Sequence, residues 1–293
     1  MQRPPHLLLA PFVKTAWASL PATAEAQVAP AREHVLPTGL MHLVVRLSGP
    51  AVRIFDSAAD GEGRRLGPAL VGGPRAGFYA KDITAPASSV GVQLLPGGAQ
   101  ALLGLPADEL AGQHVSLDDL WGSGAGLMRE QLLAAATPQD ALQRLEALLL
   151  HRLRNGPAQA AHPVALRALR QFEVGMGVND AVARSGYSHR QFIRLFSQAV
   201  GLGPKLYCRV RRFQKALPLV QGPLALAAVA MEAGYSDQSH FNREFREFAG
   251  LTPEQYRLAR PASANHVAVP PAAAAAPSRP QVNFVQDPAN AGR

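Results

Sequence analysis

The sequence predicts an α+β chain of two domains, mainly β at the N-terminus and all-α at the C-terminus, followed by a disordered tail. Three observations carry this. Short apolar runs punctuated by Gly/Pro clusters fill residues 37–95, a helix pair recurs after 48 residues, and residues 261–293 are dominated by Ala and Pro.

Composition sets the frame. A length of 293 residues allows two domains, each with its own core, and 47% hydrophobic against 17% charged residues is a globular balance. Cys208 is the one cysteine, which excludes an intramolecular disulfide and a cysteine-rich zinc site. No run of about 18 apolar residues exists to span a membrane. The opening "MQRPPHLLLAPFVK" resembles a secretion signal only faintly, because Pro11 and Lys14 cut its apolar stretch short. The expected location is the cytoplasm.

Strand-length runs come first: "MHLVVRL", "VRIFD" and "VGVQLLP", with "SGP", "GEG" and "VGGPRAG" as turns between them. They predict a mainly β domain over residues 1–136, with a cupin-like barrel as its candidate architecture. "PGGAQALLGLP" and "ADELAGQHVSLDDLWG" read as loops and short helical turns. Residues 137–154 predict a helix: Thr137 as N-cap, Pro138 at the first helical position, Asp140 near the positive end. Its stripe of Leu142, Leu145, Leu149 and Leu153 packs on the N-terminal domain or, in the sharper reading, forms a dimer contact. "NGPAQAAH" supplies a linker at 155–162. The tail at 261–293 cannot bury enough surface to order itself, although Val282, Phe284 and Val285 offer a segment able to dock back.

Residues 163–260 carry the information. "GYSHRQFIRLF" (186–196) is repeated as "GYSDQSHFNREF" (234–245), and "GLGPKLY" (201–207) as "GLTPEQY" (250–256), with one extra residue in the second turn. Each copy reads as two helices joined at a glycine that tolerates positive φ, with Ser188 and Asp237 as caps of the second helix. Phe192, Leu195 and Phe196 form the buried face of one capped helix, and Phe241, Phe245 and Phe248 that of the other. Opposite them lie hydrogen-bonding side chains. This is helix-turn-helix geometry, in which the capped helix enters a major groove. The candidate base contacts are Arg190, Ile193 and Arg194 in the first unit and Gln238, Ser239, Asn242 and Arg243 in the second. Arg pairs bidentately with guanine, Asn or Gln with adenine, and Ile touches a thymine methyl.

Charge supports a polyanion as partner. Residues 1–162 balance at 13 basic against 13 acidic side chains, whereas residues 163–260 hold 14 against 7. From Arg184 to Lys215 there are eight basic residues and no acidic one. The candidate phosphate contacts are Arg184, His189, Lys205, Arg209, Arg211, Arg212, Lys215 and Arg246. Residues 222–260 are slightly acidic, so the first unit is expected to supply attraction and the second selectivity. The segment 204–220 predicts a connecting helix of roughly 25 Å, terminated or bent at Pro218.

On these residues, 163–260 resembles the DNA-binding domain of the AraC/XylS family of transcription regulators, with units at about 163–203 and 204–260 and a closing "GLTPEQYR". The resemblance implies that the exposed positions named above read bases in successive groove segments. It departs at Ile193, often polar in the family. The N-terminal half is similar to an uncharacterised sensor-type domain found before such modules. The implied function is a one-component transcription factor whose N-terminal domain senses a small-molecule effector or mediates dimerisation. Double-stranded DNA is the partner; RNA polymerase and a second copy of the chain are further candidates, and no membrane is expected.

Two alternatives stay open: a metal-dependent cupin-type enzyme fused to a DNA-binding module, and an architectural DNA binder without an effector. For the first, His6, His34, His42 and His114 are scattered, with no His-x-His pair and following carboxylate. No phosphate loop or nucleophile elbow is present. The expectation is no enzyme, no cofactor and no metal. Cys208 is expected to be a small, buried, apolar residue.

Overall fold

The computed structural model describes residues 1–19, 31–55, 60–156 and 160–269. Residues 1–116 build two antiparallel sheets, the second joined by a strand from residues 266–269. The first runs β1 (Gln2–Arg3), β2 (Val13–Ser19), β9 (Ser88–Leu94), β4 (Met41–Ser48), β7 (Ala69–Gly72) and β10 (His114–Ser116). In β4 the residues Met41, Leu43 and Val45 are buried while their neighbours are half-buried, the alternation of a strand with one face on a core. That core lies between the sheet and two helices, α2 (Ser123–Leu133) and α3 (Pro138–Asn155), the former preceded by the short α1 (Leu117–Trp121).

α3 forms as its sequence dictates. The Thr137 hydroxyl accepts from the Asp140 amide, Pro138 sits at the first position, and Leu142, Leu145 and Leu149 are fully buried against the first sheet. Leu153 packs at the edge of the same core, so the stripe faces the domain. α2 is unannounced in the sequence, since Gly124 and Gly126 are poor helix formers and Gly122 offers no side-chain cap. The stretch read as loops and turns holds a π-helical turn (Ala99–Leu103), a 3₁₀ turn (Ala107–Leu110) and the strand β10.

The second sheet runs β11 (His266–Val269), β3 (Arg32–Val35), β8 (Tyr79–Asp82), β5 (Arg53–Phe55) and β6 (Arg64–Arg65). Its edge strand β11 corrects the expectation of disorder for the first part of the tail, residues 261–269. Residues 261–269 are ordered, and β11 pairs antiparallel with β3, Val267 opposite His34. Alternation in "HVAV" explains it: Val267 and Val269 are buried, His266 and Ala268 exposed. His266 also pairs with Glu33, which Lys81 contacts at 3.2 Å. The remaining tail positions, including Val282, Phe284 and Val285, lie outside the described residues, as does the middle of the 155–162 linker.

The helical half comprises α4 (Pro163–Glu173), α5 (Val178–Ser185), α6 (His189–Val200), α7 (Pro204–Gln221), α8 (Leu226–Ala233), α9 (Gln238–Ala249) and α10 (Pro253–Ala259). Phe192, Phe196, Phe213, Phe241, Phe245 and Phe248 form its aromatic spine, each at most 1% exposed. Each such ring contributes roughly 1.5–3 kcal/mol by burial. α7 runs past Pro218, so of the two expectations for this residue, an end or a bend, the end is overturned. Pro218 is exposed and lies one turn from the C-terminus, so only one backbone hydrogen bond is forfeited. Cys208 is half-buried on α7, and burial pushes its thiol pKa up.

Both halves share one contact surface. Leu36 and Val267 enter the helical core, with Ala76 and Phe78 packed beside it. The His34 ring stacks on Phe78 at 4.2 Å and hydrogen-bonds to the Ala249 carbonyl at 3.0 Å. The Gln214 amide donates to the Pro37 carbonyl at 2.8 Å and to Asn265 at 2.7 Å.

Candidate nucleic-acid interface

The two helix pairs, α5–α6 and α8–α9, follow one plan. Gly186 and Gly234 take left-handed φ of 76° and 89° at the turns. Ser188 then caps α6 in a reciprocal box: its hydroxyl accepts from the Gln191 amide at 3.3 Å, and the Gln191 side chain accepts from the Ser188 amide at 3.2 Å. Asp237 caps α9, accepting from the His240 amide at 2.8 Å. That bond, with a second from Ser236, holds the Asp237 carboxyl below its usual range. Pro204 and Pro253 start α7 and α10 at equivalent positions, and Tyr207 and Tyr256 are buried one turn later.

Spacing then decides what faces outward. On α6, Arg190 and Arg194 are one turn apart and exposed, with Ile193 half-buried between them. On α9, Gln238, Ser239 and Arg243 are exposed. Asn242 is half-buried, and its Oδ1 is shielded without a partner. The seven candidate base-reading residues thus lie on the two capped helices, opposite the phenylalanines.

The phosphate candidates divide. Arg184, His189, Lys205, Arg211, Lys215 and Arg246 are exposed. Arg211 is only loosely near Glu173, at 3.9 Å, and Lys215 donates to the Glu232 carbonyl at 2.5 Å. Arg209 and Arg212 are committed internally, which removes them from the free set. Both grip Glu244 of α9, Arg209 through Nε at 2.7 Å and Arg212 through its terminal nitrogen at 3.0 Å. Arg209 also reaches Glu247 at 2.6 Å, and Arg212 lies over the Tyr235 ring at 4.5 Å. Glu244 is 2% exposed, so two guanidinium groups offset one buried carboxylate. Sequence reading missed this clamp, although a signal existed: Glu244 sits on the stripe of Phe241, Phe245 and Phe248, and Arg209 and Arg212 are three apart.

The histidines weighed as metal ligands are dispersed. His6 accepts from the Leu8 amide, and His34 serves the contact between the halves. His42 and His114 are neighbours, with ring centres 5.8 Å apart, beside Tyr79 and Arg75. Burial, reinforced by Arg75, pushes their pKa values down to about 4 and about 2. Among the described residues no three His, Cys, Asp or Glu side chains converge on a metal position.

Comparison with known proteins bears on the same segments. Residues 181–259 match a family described as a helix-turn-helix domain, covering α6 to α10 and all but the start of α5. Over 71 residues the chain is 37% identical to an uncharacterised helix-turn-helix transcriptional regulator of Haemophilus influenzae, covering 24% of each chain. Over 81 residues it is 33% identical to the transcriptional regulator MtrA of Neisseria gonorrhoeae, covering 27% of each. The helical half is thus similar, over residues 181–259, to the helix-turn-helix domains of transcriptional regulators. A solved AraC-type transcriptional regulator from Chromobacterium violaceum is 27% identical, covering 33% of this chain and 92% of that one at a TM-score of 0.31. Ahead of the helix-turn-helix match, residues 1–116 match a domain of unknown function, DUF6597. The chain spans about a quarter of the length of the curated relatives it matches.

Proposed function

We propose that this chain is a sequence-specific, DNA-binding regulator of transcription, not an enzyme, acting in the cytoplasm. The observation that carries the proposal is the pair of capped helices with outward polar faces, joined through one rigid connecting helix. α7 holds 18 residues, a span of roughly 27 Å at 1.5 Å each. Successive major-groove faces on one side of a duplex lie about 34 Å apart. The two faces meet one duplex that bends toward the protein, at a cost on the order of 1–6 kcal/mol.

The sheet domain acts on DNA binding through a contact with both recognition helices. α6 ends at Gly201 and α9 at Gly250, equivalent positions with φ of 82° and 69°. A Cβ on Gly201 would overlap Pro74, and one on Gly250 would overlap the Phe78 ring. A single segment, 74–78, therefore abuts the C-terminal ends of both recognition helices, and a change in the sheet domain alters their separation. This supports a role for that domain as the receiver of a small-molecule or dimerisation signal.

The test is selection of bound duplexes from a random pool by the purified chain. A reproducible motif of two short boxes supports the proposal. Recovery of unenriched sequence, or binding that vanishes uniformly with salt, overturns it.

A further inference from the structure

A second site lies away from the helical half, where the end of β4 meets α2. Arg46, Ser48, the turn Gly49–Ala51, Pro68 and Arg129 line a cavity of ≈ 150 Å³. Arg46 comes from the strand and Arg129 from the helix, and both are half-buried. The Nε of each is shielded from solvent and has no hydrogen-bond partner. Among the described residues neither guanidinium has a carboxylate within ion-pair range. Burial lowers the Arg46 pKa, and no acidic neighbour offsets it.

Such an arrangement is costly on its own. A shielded Nε–H without an acceptor loses hydration that no described residue replaces. By contrast, Arg209 and Arg212 of the helical half are matched to Glu244. Two unmatched arginines on one cavity leave an acceptor to come from outside. Guanidinium groups take oxyanions through paired N–H donors, favouring carboxylate and phosphate. The size narrows the ligand further, since pockets that enclose larger organic ligands measure about 300–1,000 Å³.

We propose that this cavity binds a small oxyanion, or the anionic end of a larger molecule, between Arg46 and Arg129. The site is independent of the DNA-binding reading and stands or falls without it.

The experiment follows the arginine Nε–H resonances of the full-length chain during titration with sodium phosphate and, separately, sodium acetate. Sodium chloride at matched ionic strength is the control. The expected result is a saturable shift of the Arg46 and Arg129 signals. Arg46→Gln and Arg129→Gln, each used to assign one signal, weaken the response of the other by roughly 10–100-fold. Response to phosphate alone identifies a phosphoryl ligand, to acetate alone a carboxylate, and to both a general oxyanion site. Shifts that stay linear with both anions, or that match the chloride control, overturn the proposal. Should a variant fail to fold, the wild-type titration still decides, because saturable shifts confined to other arginines also overturn it.

Discussion

Arg194 and Arg243 occupy equivalent places on α6 and α9, both exposed on the outward face, yet their surroundings differ. Arg194 stands in the basic stretch 184–215, and Arg243 in the segment 222–260, where acidic side chains slightly outnumber basic ones. Base reading by either predicts that Arg194→Ala or Arg243→Ala costs about 1–3 kcal/mol and relaxes preference at one box only. Lys205→Ala instead weakens all sequences alike and lowers the salt slope by about 1. Binding to single-position operator variants across a salt series separates these, and identical profiles for the two arginine variants would remove the division of labour. A second residue-scale prediction concerns His42 and His114. Their folded pKa values of about 4 and about 2 lie below the usual 6.5, so the unfolded chain takes up their protons first. The stability they support is present above pH 6.5 and is lost as pH falls below it, by about 2 kcal/mol for each histidine at pH 5. Glu33, held below its usual 4.5 by His266 and Lys81 against the opposing effect of burial, acts only under more acidic conditions. Urea midpoints at pH 7 and pH 5 check this, and a glutamine at either histidine flattens the difference.

Among the elements, the clamp of α7 on α9 sets the angle of the second recognition helix. Glu244→Gln keeps the shape and removes the charge that Arg209 and Arg212 grip, and is expected to destabilise the chain by about 1–3 kcal/mol. Replacing both arginines by alanine strands a buried carboxylate and costs more, about 3–5 kcal/mol. Urea unfolding measures both, and equal effects would show that the pair is only a surface contact. What the sequence revealed of these elements follows from local chemistry. The caps Ser188 and Asp237, the turn glycines and the phenylalanine stripes are short-range signals, and each appears where its spacing put it. β11 and α2 were hidden because long-range packing forms them. "HVAV" orders only by pairing with β3, more than 200 residues away in sequence, and α2 is helical despite its glycines because Ala125, Met128 and Leu132 are buried against the sheet domain. Arg209 and Arg212 likewise looked free until the fold placed Glu244 between them.

In the whole molecule, the two halves meet at the segment 74–78. Because Gly201 and Gly250 both require left-handed φ and leave no room for a Cβ, Gly250→Ala forces Phe78 away from α9. The strain of φ alone is roughly 1–2 kcal/mol. The variant is expected to change operator affinity and the preferred box spacing, whereas Phe78→Ala changes spacing with less loss of stability. Unchanged spacing in both would separate the sheet domain from DNA reading.

The central claim is that one chain presents two recognition helices to one side of a duplex. Hydroxyl-radical footprinting of a selected operator tests it most directly. The account predicts two protected patches about one helical turn apart on the same face, with Arg194→Ala erasing one and Arg243→Ala the other. A single patch, or two on opposite faces of the duplex, would contradict it.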